Sequence, residues 1–173
     1  VFAAASSLGS GRIVAFSGQD FIGSQERSTL LGEASIDTLI SNAVYWTANK
    51  NSNEIKVLVA NERIASVLEQ SGITDVAISP IVQTSGLWSL QDWSTEALSE
   101  VDVAVVQVNE WGTLYVSPDD VESLRNFVLA GGGIVIAGSA LHYDWWLSYS
   151  ADRFIGDMIL EGSGIQWNIN TIP

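Results

Sequence analysis

One histidine, His142, stands three residues after Ser139 and two before Asp144. Serine, imidazole and carboxylate are the parts of an acyl-transfer triad, in which the base must reach the nucleophile and the acid must hold the base. Three residues of separation on one loop make that geometry awkward. The nucleophile-elbow pattern also fails, because Ala137 and Leu141 occupy its two glycine positions. A zinc site built from His142 and carboxylates such as Asp144 is poor in ligands, and no helical H-E-x-x-H pair occurs. Gly18 to Gly23 has the direction and spacing of a phosphate loop, but Ser24-Gln25 follows where Lys-Ser/Thr is required. Gly131-Gly132-Gly133 runs from a helix into a strand, the reverse of a phosphate cradle, and reads as a C-cap and turn. Asp119, Asp120 and Glu122 are first-turn acids facing a helix dipole rather than a calcium site. The chain is therefore read as non-catalytic, with no metal and no cofactor; a hydrolase using Ser139 and His142 is the alternative.

The elements that position these residues alternate short β-branched runs with helical periods, the pattern of an α/β layer fold. Phe2 to Ser6 and Arg12 to Ser17 are strands around a Leu8-Gly9-Ser10-Gly11 turn. Ser35 is placed to cap a helix whose apolar stripe is Ile36, Leu39, Ile40, Ala43 and Val44, with Trp46 beside that stripe and assigned to the core. Ile55 to Ala60 is a buried strand. A helix around Ile64, Val67 and Leu68 stops near Gly72, and Asp75 to Ile78 is a short strand ended by Pro80. Gln83 to Ser99 has little period and reads as a long loop with one helical turn. Val101 to Val108 is the central strand, Ser117-Pro118 opens a capped helix, and Ile134 to Ala137 is another buried strand. The predicted architecture is a three-layer, flavodoxin-like sandwich: a mostly parallel sheet with an N-terminal hairpin, one domain over residues 1–173. The tail after Gly162 reads as the start of a following linker.

Open parallel sheets bind ligands at the carboxyl ends of their strands. Those ends gather Asp20, Asn61, Asn109, Glu110, Trp111, Ser139, His142, Asp144 and Trp145, a polar and aromatic edge suited to a sugar or peptide. Seven tryptophans in 173 residues is high usage. Trp88, Trp93, Trp111, Trp145 and Trp146 fall in predicted loops or edges, where indoles either stack on a ligand or seal the sheet.

Seven Lys plus Arg against twenty Asp plus Glu leave a net charge of −13, a field that repels nucleic acid and anionic lipid. Cysteine is absent, which excludes disulfides, thiolate metal sites and a cysteine nucleophile. No stretch approaches the ~20 apolar residues of a membrane helix, so direct membrane insertion is not expected. The chain starts without Met, and Val1-Phe2-Ala3-Ala4-Ala5 reads as structure rather than leader, so the expected setting is a larger parent protein.

Four segments carry a resemblance. They are Ala3-Ala4-Ala5-Ser6 through Gly9-Ser10-Gly11-Arg12 to Phe16, the helix end Ser41-Asn42-Ala43-Val44-Tyr45-Trp46, the strand Gly131-Gly132-Gly133-Ile134-Val135-Ile136-Ala137-Gly138-Ser139 leading to Tyr143–Trp146, and Ile155-Gly156-Asp157 through Gly164-Ile165. Together they resemble the class I glutamine-amidotransferase-like domains found upstream of enhancin-type, mucin-degrading zinc metallopeptidases, a group that includes AcfD, the SslE mucinase and the TRP-channel-associated factors. The resemblance implies an accessory domain of a large secreted or surface-attached bacterial protein. Its implied partners are the other domains of that protein and mucin-type glycan or glycoprotein. The amidotransferase ancestor carries a Cys on the turn after the glycine-led strand; here the turn is Gly138-Ser139-Ala140. By the same resemblance the peptidase motif lies outside this chain.

Overall fold

A computed structural model describes residues 3–17, 33–50, 54–85, 88–108, 116–138 and 155–167. Strands β1 (Ala3–Leu8) and β2 (Gly11–Phe16) form a hairpin; α1 (Glu33–Ala48) leads to β3 (Lys56–Val59), and α2 (Glu62–Gln70) leads to β4 (Asp75–Ile78). A second hairpin, β5 (Ile81–Ser85) with β6 (Trp88–Gln91), and the short α3 (Thr95–Ser99) precede β7 (Val103–Val108). Then come α4 (Pro118–Leu129), β8 (Gly133–Gly138) and α5 (Ile155–Leu160). The main sheet has six strands in the order β1-β2-β8-β7-β3-β4. β1 runs antiparallel to β2, and every other pairing in this sheet is parallel. This is the expected three-layer α/β sandwich with its hairpin at one edge.

The layers follow from the central strands. β7 (VAVVQV) and β8 (GIVIAG) are buried at every position, so each needs apolar cover on both faces. On one face α1 and α2 contribute Ile36, Ile40, Val44, Ile64 and Leu68 to a core with Val57, Val59, Val103, Val105 and Val135. On the other, α3, α4 and α5 contribute Leu98, Val121, Leu124, Val128 and Ile159 to a core with Leu58, Ala104, Val106, Ile134 and Ile136. The hairpin turn is Gly9-Ser10, with Gly9 at φ +60, the left-handed geometry that two-residue hairpin turns favour. Gly11 is required for another reason: a Cβ there would collide with the carbonyls of Val128 and Gly132 where α4 ends against the hairpin.

Helix ends form as the local chemistry dictates. Ser117 and Asp120 make a reciprocal capping box on α4, with Pro118 at its first turn. Asn61 caps α2 by accepting from the N–H of Ile64 at 3.1 Å, and Gly72 leaves that helix at φ +95. Three expectations need correction. Helix α1 begins at Glu33, so Ser35 lies inside its first turn rather than capping it. The segment read as a long loop contains β5 and β6; Gln83, Thr84 and Ser85 hide the strand because they break the apolar alternation. Its anchor is the buried Gln91, whose Nε2 donates to the carbonyl of Ala60, while Ser79 Oγ donates to the carbonyl of Asp92 at 2.9 Å. Trp93 lies in the connection between β6 and α3, as expected of it, and of its two expected roles it takes the sealing one, fully buried in the α3–α4 core.

The third correction concerns the tail. Residues 161–167 belong to the fold rather than to a linker: Trp167 is buried, and its N–H donates to Asp157 Oδ1 at 2.8 Å. Ser6 Oγ donates to the carbonyl of Ser163 at 2.6 Å, and Arg125 Nη1 donates to the carbonyls of Met158 and Glu161. Burial raises the Asp157 carboxyl above its ordinary pKa, while the Trp167 N–H pulls it down less strongly. A raised folded pKa means the native state takes up the proton before the unfolded state does. The ionised carboxylate therefore costs stability above the folded pKa, and the cost is relieved as pH falls through that pKa toward the unfolded value. Asp157→Asn keeps an acceptor for Trp167 and removes the charge. Its midpoint in thermal melts should exceed the parent's at pH 7, and the gap should close as pH falls toward 4; a gap that widens on acidification would contradict this.

Candidate functional site

Two edges of the sheet present polar side chains. At the carboxyl edge, β3 and β7 lie side by side, yet the chain leaves them in opposite directions: α2 carries it to β4 and α4 carries it to β8. Right-handed crossovers then put the two helices on opposite faces and open a crevice between the two strand ends, the topological switch point of the sheet. Of the residues expected at this edge, Asn61 is described, directly beyond β3 at the mouth of the crevice. Asp20, Asn109, Glu110, Trp111, Ser139, His142, Asp144 and Trp145 lie outside the described residues, as does Trp146. The contact between Ser139 and His142 that a hydrolase would require lies there too. β8 itself runs to Gly138, one residue past its expected end. Asn61 faces a residue that the sequence reading passed over: its Nδ2 donates to Oε1 of Gln107, at 3.4 Å, across the crevice. Gln107 sits in an otherwise apolar strand, and a lone glutamine in such a run is the signal that could have found it.

At the opposite, amino edge lies an open cleft of about 680 Å³ lined by Arg12, Asn42, Tyr45, Trp46, Asn49, Lys50 and Glu54. Helix α1 supplies Asn42, Tyr45 and Trp46 at offsets of three and four, which is one helical face, and Asn49 follows directly beyond its end at φ +53. Its buried stripe is Ile36, Ile40, Ala43, Val44 and Thr47, on the other side. Trp46 is therefore 41% exposed rather than part of the core. Asn42, one turn earlier on the same face, was the readable signal. Arg12, near the start of β2, lies over the Trp46 ring at 5.2 Å and donates from Nη1 to the Trp46 carbonyl at 2.9 Å, satisfying a C-terminal carbonyl of α1. Tyr45 is pinned by donating its hydroxyl to the carbonyl of Ser71 at 2.8 Å. Lys50 pairs with Asp102 at 2.6 Å, and the other oxygen of Asp102 accepts from the Lys56 N–H at 3.1 Å. The side chains of Asn42, Asn49 and Glu54 have no partner among the described residues. The cleft thus offers an aromatic face, a guanidinium, two amides and a carboxylate. Planar donors and acceptors beside an indole suit the hydroxyls and apolar ring face of a saccharide.

Among the described residues no group of three or more His, Asp or Glu is placed to hold a metal ion, and no helix is long and apolar enough to cross a membrane. No protein-family model matches the chain. Over 175 aligned residues, 98% of this chain, it is 29% identical to TRPM8 channel-associated factor 1 of Homo sapiens and 28% identical to that of Pongo abelii. The chain spans only 15% of the length of these relatives. Its fold is similar to part of the IMPa metallopeptidase of Pseudomonas aeruginosa (TM-score 0.56, 18% identity, 95% of this chain and 16% of that one). The same likeness holds for IMPa solved with an O-glycopeptide (TM-score 0.54, 20% identity, covering 95% of this chain and 16% of that one) and with T-antigen (TM-score 0.55, 20% identity, the same coverage). At these identities the likeness establishes a shared α/β sandwich fold.

Proposed function

We propose that this chain is a non-catalytic accessory domain of a larger secreted or surface-attached protein of the mucin-degrading metallopeptidase type, and that it binds glycan or glycoprotein. The observation that carries the reading is the amino-edge cleft, where Trp46 is held open to solvent beside Arg12, Asn42, Asn49 and Glu54. An exposed tryptophan fixed by a stacked arginine is preorganised for a ring-shaped ligand, so little ordering is lost on binding. The fold shared with IMPa, whose structures include an O-glycopeptide and T-antigen, supports the substrate class. The glutamine-amidotransferase-like ancestry is part of the same proposal. It accounts for an α/β sheet used as a module once its cysteine nucleophile is gone.

The docking half of the proposal is supported at the other end of the sheet. The edge strand β4 and the start of β5 expose Ile78, Ile81 and Val82 close together in the chain. An exposed apolar edge is ordinarily covered or charged, and another domain of the parent is the cover we assign to it.

Calorimetric titration of the chain with a peptide carrying T-antigen, beside the same peptide without sugar, tests the binding claim. Saturable heat with the glycosylated peptide alone is expected, and Trp46→Ala should weaken it about tenfold, the loss of one aromatic stacking contact. Glu69→Ala, exposed on α2, should bind like the parent. Equal heats with the bare peptide, or a Trp46→Ala variant that binds unchanged, would overturn the assignment.

A further inference from the structure

We propose that the crevice between the carboxyl ends of β3 and β7 is a second binding site, in which the Gln107 amide takes a neutral carbonyl or hydroxyl oxygen of a small polar molecule. The proposal stands on its own observations and does not require the amino-edge cleft to bind glycan.

The polarity of the site is set by a relay that begins in the backbone. The N–H of Ile64 donates to Asn61 Oδ1, because Asn61 is the cap of α2. That fixes which end of the Asn61 amide is the acceptor and turns its Nδ2 toward Gln107. Nδ2 donates to Gln107 Oε1 at 3.4 Å, which fixes the second amide in turn. Rotating Gln107 by half a turn would set its NH₂ against the NH₂ of Asn61, donor against donor. The relay ends on Gln107 Nε2. Among the described residues that nitrogen has no hydrogen-bond partner, although the residue is only 1% exposed.

An unpaired buried donor is destabilising, so a strand of Val and Ala would be more stable with an apolar residue at this position. The Gln107 amide meets the N-terminal end of the nine-residue α2, at the switch point where parallel sheets of this kind bind ligands. The free valence consists of N–H donors, so the ligand atom must be an acceptor. Charge selects among acceptors. The first turn of α2 carries Glu62, which offsets the positive end of that helix, and the chain has a net charge of −13, so a carboxylate or phosphate meets repulsion here. A neutral oxygen does not. Gln91 also has a buried atom, Oε1, unpaired among the described residues, but its Nε2 is spent on the carbonyls of Ala60 and Ser79, tying the β5–β6 hairpin to the sheet, and it is not part of this site.

The side-chain NH₂ signals of Gln107 in a nitrogen–proton correlation spectrum report on the site directly. N-acetylglucosamine, which carries an acetamide carbonyl and hydroxyls, is the probe, and sodium acetate at the same concentration is the anionic comparison. A saturable shift of the Gln107 NH₂ pair with the sugar, absent with acetate and retained in Trp46→Ala, is expected. Gln107→Leu should remove the response and raise the melting temperature, because the orphan donor is gone. Asn61→Asp is the second variant: aspartate still caps α2, but it accepts from Gln107 Nε2, so it should fold normally and bind at least tenfold more weakly. Unmoved Gln107 signals, a response to acetate alone, or undiminished binding by Asn61→Asp would each overturn the proposal. So would a lowered melting temperature in Gln107→Leu.

Discussion

Strands β3 and β7 are neighbours in space, but the chain reaches and leaves them from opposite sides of the sheet. Everything else in the molecule depends on that parallel pairing. Because both strands are apolar and buried, helices must cover both faces, and right-handed crossovers decide which helix covers which. Asp102 shows how tightly the pairing is held at the amino edge. Its backbone N–H donates to the Lys56 carbonyl at 2.8 Å, and its own carbonyl accepts from the Gly133 N–H at 2.8 Å. The same residue's carboxylate binds Lys50 and the Lys56 N–H, so the join of three strands also anchors one wall of the amino-edge cleft.

The two edges differ in chemistry for reasons that lie in the elements bordering them. The amino edge receives the end of α1, whose carbonyls attract cations, and Arg12 and Lys50 gather there in a chain with only seven basic residues. The carboxyl edge receives helix starts, where backbone N–H groups seek oxygen, and Asn61 and Ser117 answer as caps. Neutral amides therefore meet at one edge, while a guanidinium, an ammonium and an indole meet at the other.

The sheet was largely legible in the sequence because its strands are continuous apolar runs and its helices carry strong boundary signals: Ser117-Pro118 at the start of α4, Gly72 after α2 and the glycine run after α4. The β5–β6 hairpin was not, since Gln83, Thr84 and Ser85 carry no alternation and the pairing is held by Gln91, a contact distant in the chain. Trp46 was assigned to the wrong side of its helix because indoles are usually buried; the amide at Asn42, one turn earlier, contradicted that assignment. Gln107 was invisible for a different reason. A strand sequence reports which positions are buried, but not whether a buried amide finds its partners. Most of the carboxyl-edge residues singled out from the sequence lie outside the described residues; Asn61 and Gln107 are described there.

The central claim is that the cleft around Trp46 receives a saccharide while the other described tryptophans with known burial hold the core. The indole N–H signals of the seven tryptophans separate these roles in one titration with T-antigen glycopeptide. The account predicts that the Trp46 indole moves and saturates, and that the buried Trp93 and Trp167 stay in place. A titration in which Trp46 is still while Trp93 or Trp167 shifts would contradict it.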